Sequence, residues 1–115
     1  MTQYLEIHSN EALAEAMLAS EKQNALFFKH SLTCGISDRA FREFECYLAS
    51  PESAGASNYV IVVQTAREAS DDLARLTGIR HESPQAILVR AGRAVWEQSH
   101  MAIKKDSLAE AVRNR

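Results

Sequence analysis

The chain has 115 residues, of which 46% are apolar and 24% charged, and its formal net charge is −2 at pH 7. This length fits a single domain over residues 1–115 that needs no disulfide or metal to hold its core, and the apolar share excludes a disordered chain. The balanced charge gives no electrostatic case for nucleic acid or a membrane surface as partner.

The start of the chain bears on location. Residues 1–6 lack the basic and apolar regions of a signal peptide. No apolar run approaches the roughly 20 residues that a membrane-spanning helix requires. We therefore expect a cytoplasmic protein, in a compartment that keeps thiols reduced.

The hydrophobic pattern of the first half predicts strands alternating with helices. Residues 4–7 form a short predicted strand, and Ser9 or Asn10 caps an amphipathic helix of about ten residues. The predicted apolar face of that helix consists of Leu13, Ala14, Met17 and Leu18. The continuous apolar run 25–28 is typical of a buried central strand that is covered on both faces.

The middle of the chain predicts a long helix and a second central strand. From Cys34 the spacing becomes helical, and the helix continues past Cys46 until Pro51 ends it. Its apolar positions are Phe41, Phe44, Tyr47 and Leu48. Residues 51–58 have the composition of a loop. The β-branched run 59–63 predicts a central strand parallel to the first.

The C-terminal part predicts a helix, a hairpin and a last helix. A helix over about 66–76 is ended by Gly78, and strands over 85–90 and 93–98 form a hairpin by pattern. A final helix spans about 105–113, with one apolar side formed by Leu108, Ala109 and Val112. The order predicts an α/β fold: a mixed five-stranded sheet, parallel in its first part and closed by an antiparallel hairpin, flanked by four helices.

Cys34 is the candidate nucleophile. It lies where the second helix begins, and the N–H groups of a first helical turn, with the positive end of the helix dipole, stabilise a thiolate there. Cys46 is predicted to pack in the core on the same helix. About 18 Å along the helix axis and roughly 120° of rotation separate the two thiols, whereas a disulfide needs Cα atoms within about 7 Å.

Several segments carry a family resemblance. A strand that delivers Cys34 to a helix, a β-branched central strand and a proline that opens the hairpin together resemble the thioredoxin fold, in which that proline is cis and lies beside the reactive cysteine. Within this fold, residues 28–37 and 83–89, followed by Gly92 and Val95–Trp96, resemble the monothiol bacilliredoxins, whose active site is of the type Thr-Cys-Pro-x-Ser. The resemblance covers nearly the whole chain.

The resemblance implies a thiol–disulfide oxidoreductase that removes the low-molecular-weight thiol bacillithiol from mixed disulfides on client proteins. It implies Cys34 and Ser37 as catalytic residues, bacillithiol as co-substrate, and no tightly bound cofactor. Ser37 stands where dithiol relatives carry a resolving cysteine, and serine forms no disulfide, so a regenerating reductase or outside thiol must clear Cys34. The implied substrate contacts are Thr33, Gly35, Ser83 and Pro84.

Further residues lie in segments that could rim such a site. They could attract the carboxylates of bacillithiol or glutathione, and they are Lys29, His30, Arg39, Arg80 and His81. The hydroxyl of Ser37, one helical turn after Cys34, could donate a hydrogen bond to the thiolate. The four histidines are dispersed and no Cys-x-x-Cys motif is present, so we expect no metal site.

One departure from the family pattern leaves alternatives open. Gly35 stands where the family has proline, and the tetrad 34–37 is close to the Cys-Gly-Phe-Ser of monothiol glutaredoxins, which carry a [2Fe–2S] cluster with glutathione between two subunits. The downstream glycine pair with which glutaredoxins hold glutathione is not found. The alternatives are therefore a glutaredoxin-like iron–sulfur carrier and a non-catalytic thioredoxin-like binding module.

Overall fold

The computed structural model describes residues 3–114; Met1 and Thr2, which belong to the segment 1–6 of the signal-peptide prediction, and Arg115 lie outside the described residues. The strands are β1 (Leu5–Glu6), β2 (Ala25–His30), β3 (Ser57–Val62), β4 (Gln85–Arg90) and β5 (Arg93–Ser99). The helices are α1 (Asn10–Ala19), α2 (Gly35–Leu48), α3 (Arg67–Thr77) and α4 (Lys105–Asn114), with 3-10 helices at Pro51–Gly55 and His100–Ala102. Among the described residues, none of the helices combines the length and apolar character of a membrane span.

The five strands form one mixed sheet in the order β1-β3-β2-β4-β5. β3 runs parallel to both β1 and β2, whereas β4 is antiparallel to β2 and forms the hairpin with β5. This confirms the predicted α/β architecture. The direction of the strands places the loops after β2 and β3 and the loop before β4 at the same edge of the sheet.

The core has two layers because β2 is buried on both faces. Phe28 and Phe44 belong to the cluster that α2 and α4 form on one face of the sheet. Phe27, Leu13 and Leu73 belong to the cluster formed with α1 and α3 on the other. Each fully buried side chain of this size stabilises the fold by about 1.5–3 kcal/mol, which makes the central strand a rigid support for the loop that follows it.

The prediction for the buried face of α1 is partly wrong. Leu13 is buried as expected, but Ala14 is exposed and Leu18 keeps 74% of its surface in solvent. Ala16 takes the buried position instead. Each residue of a helix turns by about 100°, so a face centred on positions 13 and 16 points positions 14 and 18 toward water.

The segment predicted as a loop over 51–58 is more regular than expected. Its first part is the 3-10 helix Pro51–Gly55, and β3 already begins at Ser57. The hydroxyl of Ser53 donates to the carbonyl of Leu48 at 2.9 Å and so ties this turn to the end of α2. The predicted end of α3 at Gly78 is confirmed, since its φ of 72° is left-handed.

Candidate active site

Cys34 is the residue that precedes the first turn of α2, as the sequence predicts. Its backbone is extended, with φ −120° and ψ 121°, and Gly35 is the first helical residue. The thiol is free and half-buried. Within the described part of the chain its side chain makes no capping hydrogen bond. The sulfur is therefore placed at the positive end of the helix without being engaged by another group.

Gln64 holds the loop that carries Cys34. Its amide oxygen accepts a hydrogen bond from the N–H of Leu32 at 3.1 Å, and its amide nitrogen donates to the hydroxyl of Ser31 at 2.9 Å. Thr33, a predicted substrate contact, is exposed beside this clamp. Gln64 is not among the site residues predicted from the sequence. The signal was a polar side chain two residues after a central parallel strand, at the edge where Cys34 lies.

Ser37 is fully buried in the first turn of α2. Its hydroxyl oxygen accepts a hydrogen bond from the N–H of Ser31 at 2.8 Å and lies 2.8 Å from Nδ1 of His30. These contacts fix the loop before Cys34 to the helix after it. The predicted use of this hydroxyl, donation to the Cys34 thiolate, competes with donation to His30.

His30 is buried at the end of β2. The prediction that it lies at the rim of the site is therefore wrong. Its ring stacks on Phe41 at 4.8 Å between centroids. Its Nε2 lies 3.9 Å from a carboxylate oxygen of Asp38. Burial lowers the pKa of His30, and the Asp38 carboxylate opposes this shift. A neutral imidazole with its proton on Nε2, facing Asp38, leaves Nδ1 to accept from Ser37.

The Ser83–Pro84 peptide bond is cis, as the resemblance implies. Pro84 directly precedes β4, whose Gln85 pairs with Lys29 of β2 across the sheet. The loops that carry Pro84 and Cys34 therefore leave the sheet from neighbouring strands at one edge. The hydroxyl of Ser83 is buried and has no hydrogen-bond partner among residues 3–114.

Lys29 is buried and does not rim the site either. Its ammonium group donates to the backbone oxygen of Ser70 at 3.0 Å and contacts Nδ1 of His81 at 3.1 Å. Burial lowers the pKa of Lys29 to about 8, and the carboxylate of Asp71 acts in the opposite direction. A cation held inside the fold in this way cannot attract a carboxylate from solution. The exposed cations of the predicted set are Arg39 and Arg80.

Replacing Lys29 with methionine is expected to raise the free energy of unfolding at pH 7 by about 1–3 kcal/mol, because the apolar side chain removes the cost of burying a charge. The pKa of Lys29 is about 8 in the folded state and 10.5 when unperturbed. Between about pH 8 and pH 10.5 the Lys29 side chain is protonated in the unfolded chain but not in the folded one. The free energy of unfolding of the wild type therefore rises with pH over this range.

The advantage of Lys29→Met should therefore shrink by pH 10.5. Urea unfolding of both proteins at pH 7 and pH 10.5 measures it. A variant that is less stable than the wild type at pH 7 would contradict this account of the lysine.

Cys46 is exposed, so the prediction that it packs in the core is wrong. Phe44 and Tyr47, three residues apart on α2, both point into the core. The rotation of about 100° per residue then directs position 46 toward solvent. Both cysteines are free, and the helix between them keeps them apart as expected.

Gly35 is exposed, and neither its backbone nor its surroundings require glycine. Apart from Gly35 itself, its two chain neighbours and the backbone of its own helix, no atom of the described residues lies within 4 Å of the place where a Cβ would be. Proline is readily accommodated at the first position of a helix, so the proline of the family pattern would fit here. Within residues 3–114 no three His, Cys, Asp or Glu side chains converge on a metal position.

Comparison with known proteins relates this site to a family. The family model described as monothiol bacilliredoxin BrxC matches residues 5–108. The chain is similar to a solved structure with a thioredoxin fold, provisionally described as an oxidoreductase, at 32% identity; the match covers 94% of this chain and 92% of that one, with a TM-score of 0.81.

Thioredoxins share the fold at lower identity. The thioredoxin of Malassezia sympodialis, Mala s 13, is 15% identical over 99% of this chain and 91% of its own, with a TM-score of 0.77. That of Fasciola hepatica is 12% identical over 97% and 98%, with a TM-score of 0.74. These likenesses place Cys34 on a thioredoxin fold.

Proposed function

The chain belongs to the monothiol bacilliredoxin family, and on that premise we propose that it removes bacillithiol from mixed disulfides on client proteins through Cys34. Family and fold make it a thiol oxidoreductase. The observation that carries the finer proposal is one free, half-buried cysteine at the start of α2, followed three residues later by a serine. The reaction requires no tightly bound cofactor.

In the first step the Cys34 thiolate attacks the bacillithiol sulfur of a client mixed disulfide. A disulfide forms between Cys34 and bacillithiol while the original disulfide breaks, and the client leaves as a thiolate that takes a proton from water. The N–H groups at the start of α2 favour the negative charge on Cys34 before the attack. No net oxidation occurs, because one disulfide replaces another.

In the second step a thiol from outside must clear the loaded Cys34. Ser37 cannot form a disulfide, and Cys46 lies about 18 Å away along the helix axis. A second bacillithiol or a reductase therefore attacks the mixed disulfide and restores the Cys34 thiolate. The protein thus takes the small thiol from the client and passes it on to a second thiol or a reductase. This takes place in a cytoplasmic compartment where small thiols are kept reduced.

The loop that contains Ser83 and Pro84 supplies the substrate contact opposite Cys34. Its backbone can pair with an extended segment of the client, whereas the hydroxyl of Ser83 is buried and does not reach the client. Thr33 and Gly35, exposed on either side of Cys34, are the remaining contacts in this proposal.

Transfer measured by intact mass tests this function. A client protein is loaded with bacillithiol or, separately, with glutathione, and the chain is added in the absence of other thiols. We expect the bacillithiol mass to move from the client to Cys34 at least about tenfold faster than the glutathione mass. Transfer of neither thiol would contradict the proposed function, and faster transfer of glutathione would contradict bacillithiol as its substrate.

The open space at Gly35 favours a second candidate, a glutaredoxin-like [2Fe–2S] carrier in which Cys34 binds a cluster together with a small thiol. Anaerobic reconstitution of the wild-type chain separates the two functions. A chain that stays colourless and retains no iron excludes the carrier. A stable cluster in the absence of transfer activity would favour it over the oxidoreductase.

The oxidoreductase proposal makes a prediction for Gly35→Pro. The position is open and is the first of its helix, so the variant should fold with a free energy of unfolding within about 1 kcal/mol of the wild type. Bacillithiol transfer should be retained, because the attacking sulfur is unchanged. Stopped-flow transfer with urea unfolding measures both, and a folded variant without transfer would show that Gly35 itself is required.

A further inference from the structure

We propose that Lys29 is a positioning residue, which fixes the loop 79–84, and with it Ser83 and Pro84, next to the segment that carries Cys34. The anchoring is a property of the fold alone. Its effect on small-thiol transfer rests on the proposed function, so the experiment below measures the two separately.

Lys29 connects three elements at the edge of the sheet where Cys34 lies. It stands on β2 five residues before Cys34, and its ammonium group reaches across the α3 face of the sheet. One contact goes to the backbone oxygen of Ser70 in α3 at 3.0 Å, and the other to Nδ1 of His81 in the loop at 3.1 Å. The hydroxyl oxygen of Ser70 also lies 3.4 Å from Nδ1 of His81.

A second brace acts beside the first. Gln85, which pairs with Lys29 across β2 and β4, is buried. Its amide nitrogen donates to the carbonyl of Arg80 at 3.1 Å, and its amide oxygen accepts from the N–H of Glu82 at 3.4 Å. The loop before Pro84 is thus tied through its side chain at position 81 and its backbone at positions 80 and 82, both times to the β2–β4 pair.

The contact between Lys29 and His81 requires a neutral imidazole. An ammonium group has only donors, so Nδ1 of His81 must accept and the ring proton must sit on Nε2. Burial and the neighbouring Lys29 both lower the pKa of His81 from 6.5, as does Arg67, whereas Asp71 and Glu82 act in the opposite direction. Protonation of His81 in acid removes the acceptor and sets two cations side by side, which releases the loop.

The burial of a lysine at this place lowers the free energy of unfolding, so stability does not explain the residue, whereas a role in positioning does. A methionine would fill a similar volume without the cost of desolvating a charge. What methionine cannot do is donate to Ser70 and His81 at once. The proposal therefore predicts that Lys29→Met leaves the protein folded but loosens one loop.

Hydrogen exchange tests the anchoring without any chemistry at Cys34. Exchange of the loop amides, those of residues 79–83 because Pro84 has no N–H, is compared in the wild type, Lys29→Met and His81→Ala. Lys22→Met is the control, since Lys22 is exposed and lies before the start of β2, at the end away from Cys34. Both test variants should exchange at least about tenfold faster in this loop, and the control should not. Unchanged exchange of residues 79–83 in both variants would overturn the proposal.

Activity and its pH profile test the consequence. Both variants should transfer the small thiol about tenfold more slowly, while alkylation of Cys34 by iodoacetamide, which needs no contact with Pro84, stays within about twofold of the wild type. Relative to alkylation of Cys34 by iodoacetamide at the same pH, which also requires the thiolate, wild-type transfer should fall further as His81 becomes protonated below pH 6.5, and Lys29→Met should lack this additional fall.

The outcomes separate the two claims. A loosened loop with an unchanged transfer rate and pH profile would overturn the positioning role. A wild-type chain that transfers no small thiol, in combination with faster loop exchange in the variants, would refute the proposed function and leave the anchoring supported.

Discussion

Cys34→Ser is expected to reduce small-thiol transfer by at least about 10³-fold, because it removes the nucleophile itself and the hydroxyl of serine does not form a disulfide. Cys46→Ser is the matched control on the same helix. Its thiol is exposed but lies far from the start of α2, so this variant should keep the wild-type rate within about twofold.

Intact mass after exposure to a bacillithiol-loaded client reports both variants. Cys46→Ser should gain the mass of one small thiol, and Cys34→Ser should gain none. If Cys34→Ser still accepts the small thiol, or if Cys46→Ser loses transfer, the assignment of the nucleophile is wrong.

Ser37→Cys is expected to let the protein release the small thiol from Cys34 without an outside thiol. The rise, rotation and radius of a helix put Cα atoms that are three residues apart at about 5 Å from each other, within the Cα range of a disulfide. The introduced thiol would attack the Cys34 mixed disulfide, form an intramolecular disulfide and release bacillithiol. The loaded form should therefore decay at least about tenfold faster than that of the wild type in the absence of outside thiols.

This variant also has a cost in stability. Ser37 is fully buried and satisfies His30 and the N–H of Ser31, so the free energy of unfolding should fall by about 1–3 kcal/mol. The wild type is the control for the release step, since it already holds a second thiol at Cys46. A loaded Ser37→Cys variant as long-lived as the loaded wild type would contradict the placement of position 37 beside the sulfur of Cys34.

The features that the sequence predicts correctly depend on local signals. The start of α2 after Cys34 and the left-handed end of α3 at Gly78 follow from residues adjacent in the chain. The cis bond before Pro84 could not be predicted from the residues alone, because X–Pro bonds are cis in only about 5–6% of cases in folded proteins. The resemblance to the thioredoxin fold is what implies it.

The features that the sequence misses depend on distant partners. A lysine after the apolar run 25–28 suggests the exit of a strand to solvent. Lys29 is buried because acceptors at Ser70 and His81, 41 and 52 residues further along the chain, come to it through α3 and the loop before β4. No local pattern contains that information.

The rotation of helices is the second source of error. The periodicity of α1 and α2 predicts that each has an apolar face, but the sheet decides which residues point toward it. Leu18 and Cys46 are predicted to face the core and are exposed. Cys46 lies about 100° from the buried Tyr47 beside it, and Leu18 lies about 160° from the buried Ala16 two residues before it. Small apolar residues such as alanine can take either side, which leaves the angle of a helix open until it packs.

The most direct test of the central claim measures how many equivalents of small thiol the protein accepts from an excess of client. Wild-type chain is mixed with an excess of bacillithiol-loaded client in the absence of any other thiol, and the adduct is located by peptide mass mapping. The account predicts that one equivalent of small thiol moves to Cys34, that the reaction then stops, and that added free thiol restarts it. Continued turnover without added thiol, or an adduct on Cys46 in place of Cys34, would contradict it.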